Sequence, residues 1–145
     1  VDGLLMVDVP PEQHDRFFEF QSSLDMIRLI TPTTDVDRLP LIHSKASGFI
    51  YYVSVKGITG TQVPDASLVS KHLSFIKDHV ELPTVIGFGI DTIERAKDMA
   101  NISDGIVIGS AFLKPLLAAS ESEYQVICDQ QLQFIHSINK AINNG

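Results

Sequence analysis

Three short loops carry the residue types that hold an anion. They read Ser54-Val55-Lys56-Gly57-Ile58-Thr59-Gly60, Gly87-Phe88-Gly89-Ile90 and Gly109-Ser110-Ala111, and each follows a short apolar run. The second and third lead directly into helical patterns. Glycine lets the backbone approach a ligand closely, and a helix N-terminus offers free N–H groups with a partial positive charge. Gly87, Gly89, Gly109 and Ser110 would converge on one phosphate if these loops lie side by side. No cluster of Lys or Arg is needed, since backbone donors suffice. Singly, each loop's glycines could serve only to ease a tight turn; the set together favours phosphate binding.

The other chemistry-bearing residues are dispersed. His14, His43, His72, His79 and His136 show no metal-ligand spacing, and His72 and His136 read as surface positions on helices. Cys128 is the sole cysteine, which excludes an internal disulfide and a thiolate cluster, and its apolar neighbours make it a core thiol. Lys114 follows Ser110 by one helical turn and could approach an anion, though a solvated side chain is the simpler reading. Asp8 ends an apolar run, but one carboxylate is not the acid/base pair that general catalysis needs.

The elements that would position these loops are regular. Strands are expected at residues 3–7, 26–30, 49–53, 84–86 and 105–108, most of them continuously apolar, as in a parallel sheet buried on both faces. Helical patterns fill the intervals. Residues 12–23 carry Phe17, Phe20 and Leu24 along one side, and residues 66–79 repeat Val69, Leu73 and Ile76 behind a capping Asp65. Asp91 and Glu94 suggest a capping box. Residues 121–142 align Tyr124, Ile127, Cys128, Leu132, Ile135 and Ile138. A helix opened by Thr34 and Asp37 meets Pro40, so it should be kinked or start late. The order is βαβαβαβαβα, with right-handed crossovers.

Composition narrows the class. A chain of 145 residues with 44% apolar content can bury the core of one domain, and a net charge of −7 argues against nucleic-acid binding. No run approaches the ~18 apolar residues of a membrane span, and the early acidic residues do not suit a secretory signal. A soluble, cytoplasmic α/β protein is expected. The chain opens on Val1-Asp2-Gly3-Leu4-Leu5-Met6-Val7, already inside a strand pattern, which suggests a piece of a larger domain. A doubly wound sheet would place its glycine-rich turn after the first strand; here that turn reads Asp8-Val9-Pro10-Pro11. The expectation is residues 1–145 as the C-terminal portion of one (β/α)8 barrel, with only the last five βα units.

The segments Leu4-Leu5-Met6-Val7-Asp8-Val9-Pro10-Pro11-Glu12, Gly48-Phe49-Ile50-Tyr51-Tyr52-Val53-Ser54, Gly57-Ile58-Thr59-Gly60, Gly87-Phe88-Gly89-Ile90 and Asp104-Gly105-Ile106-Val107-Ile108-Gly109-Ser110-Ala111 resemble the tryptophan synthase alpha chain in order and spacing. The resemblance runs from that family's fourth barrel strand to its terminal helix. It implies a lyase of tryptophan biosynthesis that cleaves indole-3-glycerol phosphate to indole and glyceraldehyde 3-phosphate. No cofactor of its own is implied; pyridoxal phosphate belongs to the partner beta chain of an alpha2-beta2 assembly. On this resemblance Gly60, Gly89, Gly109 and Ser110 surround the substrate phosphate, and Tyr51 stands near the reacting part of the substrate. Thr59 belongs to a closing loop, Leu5, Ile30 and Phe88 wall the indole, and Asp8 faces the beta chain. The family's catalytic Glu and Asp fall before Val1, so the chain alone should be inactive. Thr61-Gln62-Val63-Pro64-Asp65 lacks an arginine that many relatives carry, which bears on loop closure. A non-catalytic phosphate-binding half barrel or partner-binding module is the alternative. A pentose-phosphate epimerase-type barrel would need His and Asp metal ligands that are absent from the sequence.

Overall fold

The five apolar runs form five strands: β1 (Gly3–Leu5), β2 (Asp25–Ile30), β3 (Ile50–Val53), β4 (Thr84–Gly87) and β5 (Gly105–Val107). The computed structural model describes residues 1–18, 23–53, 66–87 and 89–143. Every pairing is parallel, and the sheet order is β1-β2-β3-β4-β5. An order that never reverses has no switch point of the doubly wound kind. It is the order of a half-barrel, a partial TIM barrel, with helices on the outer side.

Strand alternation divides the sheet into two unequal faces. Ile30, Tyr52 and Ile86 fall on one register line, and all three are buried with Leu39, Ile42, Val69, Leu73, Ile76 and Met99 in the helix-side core. Each such fully buried side chain contributes about 1.5–3 kcal/mol. Leu29, Tyr51 and Val85 form the alternate line and are only half-buried. Continuous apolarity had suggested strands buried on both faces; among the described residues, only the helix side is sealed.

The helices are α1 (His14–Phe17), α2 (Leu39–Ser44), α3 (Ala66–Lys77), α4 (Ile93–Ala100), α5 (Ser110–Ala118) and α6 (Tyr124–Asn143). The first is much shorter than expected. A 3-10 turn (Pro11–Gln13) precedes it, Phe18 leaves helical geometry, and Phe17 finds no core partner, remaining 59% exposed. Pro40 falls in the first turn of α2, where its missing N–H costs nothing, so the late start is the observed solution. Thr92, not Asp91, caps α4: its Oγ1 accepts from the Arg95 N–H at 3.2 Å. With Arg95 at the third helical position there is no capping box. Asp65 lies outside the described residues.

The terminal helix matches expectation only in part, burying Ile138 but not the rest of the expected stripe. Its buried positions are Gln131 and Ile138, with Phe134 and Ile142 packed beside them, whereas Tyr124 and Leu132 stay more than half exposed. Both stripes are apolar, but α4 covers only one of them. Leu132 and Ile135 flank instead an open groove beside Ile106 of β5 and Ile108 just after it.

At the N-terminal ends of β4 and β5, Asp104 ties two crossovers together. Its Oδ2 accepts from the Thr84 N–H and its Oδ1 from Lys77 Nζ, both at 2.8 Å. The hydrogen bond from Lys77, then that from Thr84, holds this carboxyl below the usual aspartate range. The contribution is therefore present above the unfolded pKa of about 3.9 and lost as pH falls through the lower folded value. Asp104→Asn should cost about 1 kcal/mol at pH 7 and flatten the acid limb of the stability profile, both measurable from urea midpoints at pH 7 and pH 3.

Candidate functional site

The loops after β4 and β5 do lie side by side. A cleft of about 380 Å³ at this end of the sheet is lined by Tyr51, Gly89, Ile90, Asp91, Val107, Gly109, Ser110 and Lys114. Parallel pairing of β3, β4 and β5 brings these residues together from positions up to 63 apart, Tyr51 and Lys114. Gly109 stands at the N-terminus of α5 and no side chain caps it. The first backbone donors of that helix therefore face the cleft mouth with its positive dipole end.

Gly89 has φ of +73°, a conformation that side chains with a Cβ rarely adopt. Its carbonyl is held by Arg95 Nη1 at 2.5 Å, and the same nitrogen reaches Asp91 Oδ1 at 2.9 Å. Gly87 serves a different need. A Cβ there would fall 1.8 Å from the Tyr51 hydroxyl oxygen and 2.2 Å from Cζ, so the ring occupies the space that glycine leaves. Tyr51 is half-buried, and burial raises its phenol pKa, keeping it protonated and able to donate. Gly87 thus shapes the cleft through Tyr51 rather than by lining it.

The expected apolar wall is only partly assembled. Ile30 belongs to the helix-side core, because its register partner is Tyr52 and not Tyr51. Leu5 ends β1, pairs with Ile27 and is 38% exposed. Thr59, Gly60 and Phe88 lie outside the described residues.

Asp8 is exposed in a second, smaller hollow, shared with Arg28, Thr34 and Arg38. Behind it lies a residue that the sequence reading passed over. Arg28, in the middle of β2, is 3% exposed. It donates to the Val9 carbonyl (2.8 Å), the Lys45 carbonyl (3.1 Å) and His14 Nδ1 (2.6 Å). Burial, then the neighbouring Arg28 charge, lowers the His14 pKa, consistent with a neutral ring accepting from the guanidinium. A lone arginine inside Met26-Ile27-Arg28-Leu29-Ile30 was the available signal. The sequence reading passes over Arg95 as well and leaves Lys114 solvated; the fold sets Lys114 in the cleft lining and Arg95 against Gly89 and Asp91.

Among the described residues no group of His, Cys, Asp or Glu could hold a metal ion, and no helix is long and apolar enough to cross a membrane. Asp91 is the only carboxylate lining the cleft there, and Arg95 pairs with it.

Comparison with known proteins gives a consistent result. The model of the family described as tryptophan synthase alpha chain matches residues 1–143. Among solved structures, the tryptophan synthase subunit alpha from Legionella pneumophila is similar with a TM-score of 0.80 and 29% identity, over 100% of this chain and 53% of that one. A mutant tryptophan synthase alpha-subunit from Pyrococcus furiosus gives 0.72 and 25%, over 94% of this chain and 56% of that one. The subunit alpha from Campylobacter jejuni, at 24% identity, shares the fold with a TM-score of 0.77, over 95% and 54% of the two chains. The chain therefore spans about half the length of the solved relatives it matches.

Proposed function

The chain belongs to the tryptophan synthase alpha chain family, and from that premise we propose that it forms the phosphate-binding portion of a lyase that cleaves indole-3-glycerol phosphate. The observation that carries this reading is the cleft joining Gly89, Gly109, Ser110 and Lys114 to Tyr51. Backbone donors at Gly89 and at the start of α5 would hold the phosphate, with the Lys114 ammonium adding charge at the rim. The Tyr51 phenol, kept protonated by burial, would stand toward the reacting carbons. Gly60 and Thr59 would complete the enclosure from the loop after β3, Phe88 and Leu5 would bound the indole, and Asp8 would meet a beta chain.

Retro-aldol cleavage needs a base for the glycerol hydroxyl and an acid for the indole carbon, each placed against substrate. The paired Asp91 suits neither role. The two catalytic carboxylates would be supplied by the barrel strands of the family that this chain does not span. The chain needs no cofactor on this reading, and it would act in the cytoplasm with a pyridoxal-phosphate beta chain as partner.

Indole release from indole-3-glycerol phosphate tests the proposal, with the chain and a beta subunit, alone and after adding a separate N-terminal half from a relative. Activity only in the complemented sample is the expected result. Activity without the added half would overturn the assignment of the acid/base pair. Inactivity in both, with phosphate binding retained, would favour a non-catalytic phosphate-binding module.

A further inference from the structure

We propose that Arg95 is a positioning residue for the phosphate cleft, holding the Gly89 carbonyl and the Asp91 carboxylate on one guanidinium nitrogen so that the cleft stays receptive to a dianion. The inference rests on the reading above that this cleft takes phosphate, and Arg95 itself does not line the cleft.

Two independent facts meet at Arg95. The first is geometric. Gly89 sits in the left-handed region with φ of +73°, where glycine has little intrinsic preference for one peptide orientation. The bond from Arg95 Nη1 to its carbonyl at 2.5 Å removes that freedom. With the Gly89–Ile90 peptide fixed, the loop keeps the shape in which both residues line the cleft.

The second fact is electrostatic. Asp91 lines the same cleft, and its side chain is 60% exposed. An unpaired carboxylate there would repel the incoming phosphate, while Arg95 at 2.9 Å cancels it. Lys114 then supplies the net positive charge of the lining. Arg95 itself is 28% exposed, and it sits in the first turn of α4, whose cap at Thr92 sets its position. Asp91 precedes the extended cap Thr92, so the pairing depends on the loop folding back over the first turn of α4 and not on the helix alone.

Titration of inorganic phosphate into the purified protein, followed by amide chemical shifts, is the test. Arg95→Ala should weaken binding at least about tenfold, with the Gly89 and Ile90 signals shifted before any ligand is added. Arg95→Lys, which can still donate to both acceptors, should stay within about threefold of the parent. The double variant Asp91→Asn/Arg95→Ala should recover part of the loss, because the exposed charge is gone while Gly89 remains untethered.

Parent-like binding by Arg95→Ala would overturn the proposal. Full recovery in the double variant would overturn the Gly89 role, and no recovery would overturn the Asp91 role. Failure of the parent itself to bind phosphate would instead reject the cleft assignment on which the inference stands. Urea midpoints of each variant separate these outcomes from loss of fold.

Discussion

Gly87→Ala should lower stability by roughly 2–3 kcal/mol and distort the cleft at the same time, although it adds one methyl group. The new carbon would overlap the Tyr51 hydroxyl and ring, at 1.8 Å from the oxygen, 2.2 Å from Cζ and 2.8 Å from Cε1. A flexible side chain could swing its tip away, but a phenol ring moves as a rigid plate. Neither partner yields easily: Gly87 is held in β4 by pairing to Val53 on one side and Val107 on the other. Tyr51 must therefore leave its rotamer or the strands must part. Tyr51→Leu should relieve the clash, so the double variant Tyr51→Leu/Gly87→Ala should be less destabilised than the two single effects combined. Urea denaturation followed by far-UV circular dichroism measures this cycle. Simple additivity would show that the ring and the glycine are not coupled.

Arg28→Met should cost about 3 kcal/mol or more, the largest loss expected from an uncharged replacement of similar length. The guanidinium satisfies the Val9 and Lys45 carbonyls and one ring nitrogen of His14, and it does so at 3% exposure. Methionine fills the space but donates nothing, leaving the buried Val9 carbonyl unpaired at about 1–3 kcal/mol and the half-buried Lys45 carbonyl and His14 nitrogen at less. Arg28→Lys should recover only part, since an ammonium on a single stem cannot reproduce a planar fork reaching in three directions. Val9 is itself buried beside Asp8, so the β1–α1 turn should loosen in both variants and its amides exchange faster. A methionine variant within 1 kcal/mol of the parent would show that these carbonyls find other donors.

The sheet was legible in the sequence because its signal is local. Runs such as Ile50-Tyr51-Tyr52-Val53 and Thr84-Val85-Ile86 read as buried strands in any context, and strand ends moved by no more than two residues. Capping was less legible, since Asp91 and Thr92 are adjacent and either can accept from the first turn. The fold gave that place to Thr92 and turned Asp91 to Arg95. Face assignment on α6 held at Ile138 but not at Tyr124, Leu132 and Ile135, for a related reason: a broad apolar helix offers two stripes, and the packing of α4 and α5 against it selects Gln131 and Ile138. At the cleft, the glycine loops were visible as a class, but Gly87 and Gly89 differ in function for reasons of space and backbone angle that sequence does not carry. Ile30 was assigned by likeness to a pocket wall, whereas strand alternation delivers it to the core.

Because each strand pairs only with its predecessor and successor in the chain, the sheet can grow in the direction of synthesis. From β2 to β5, each βα unit leaving the ribosome finds its partner edge already made. Every closure spans a similar, modest stretch of chain, which keeps the entropy of each step low. The same nearest-neighbour logic runs in reverse on unfolding, as in linear repeat arrays. Within these five strands β2, β3 and β4 each have a partner on both sides, and β3 carries the fully buried Ile50 and Tyr52.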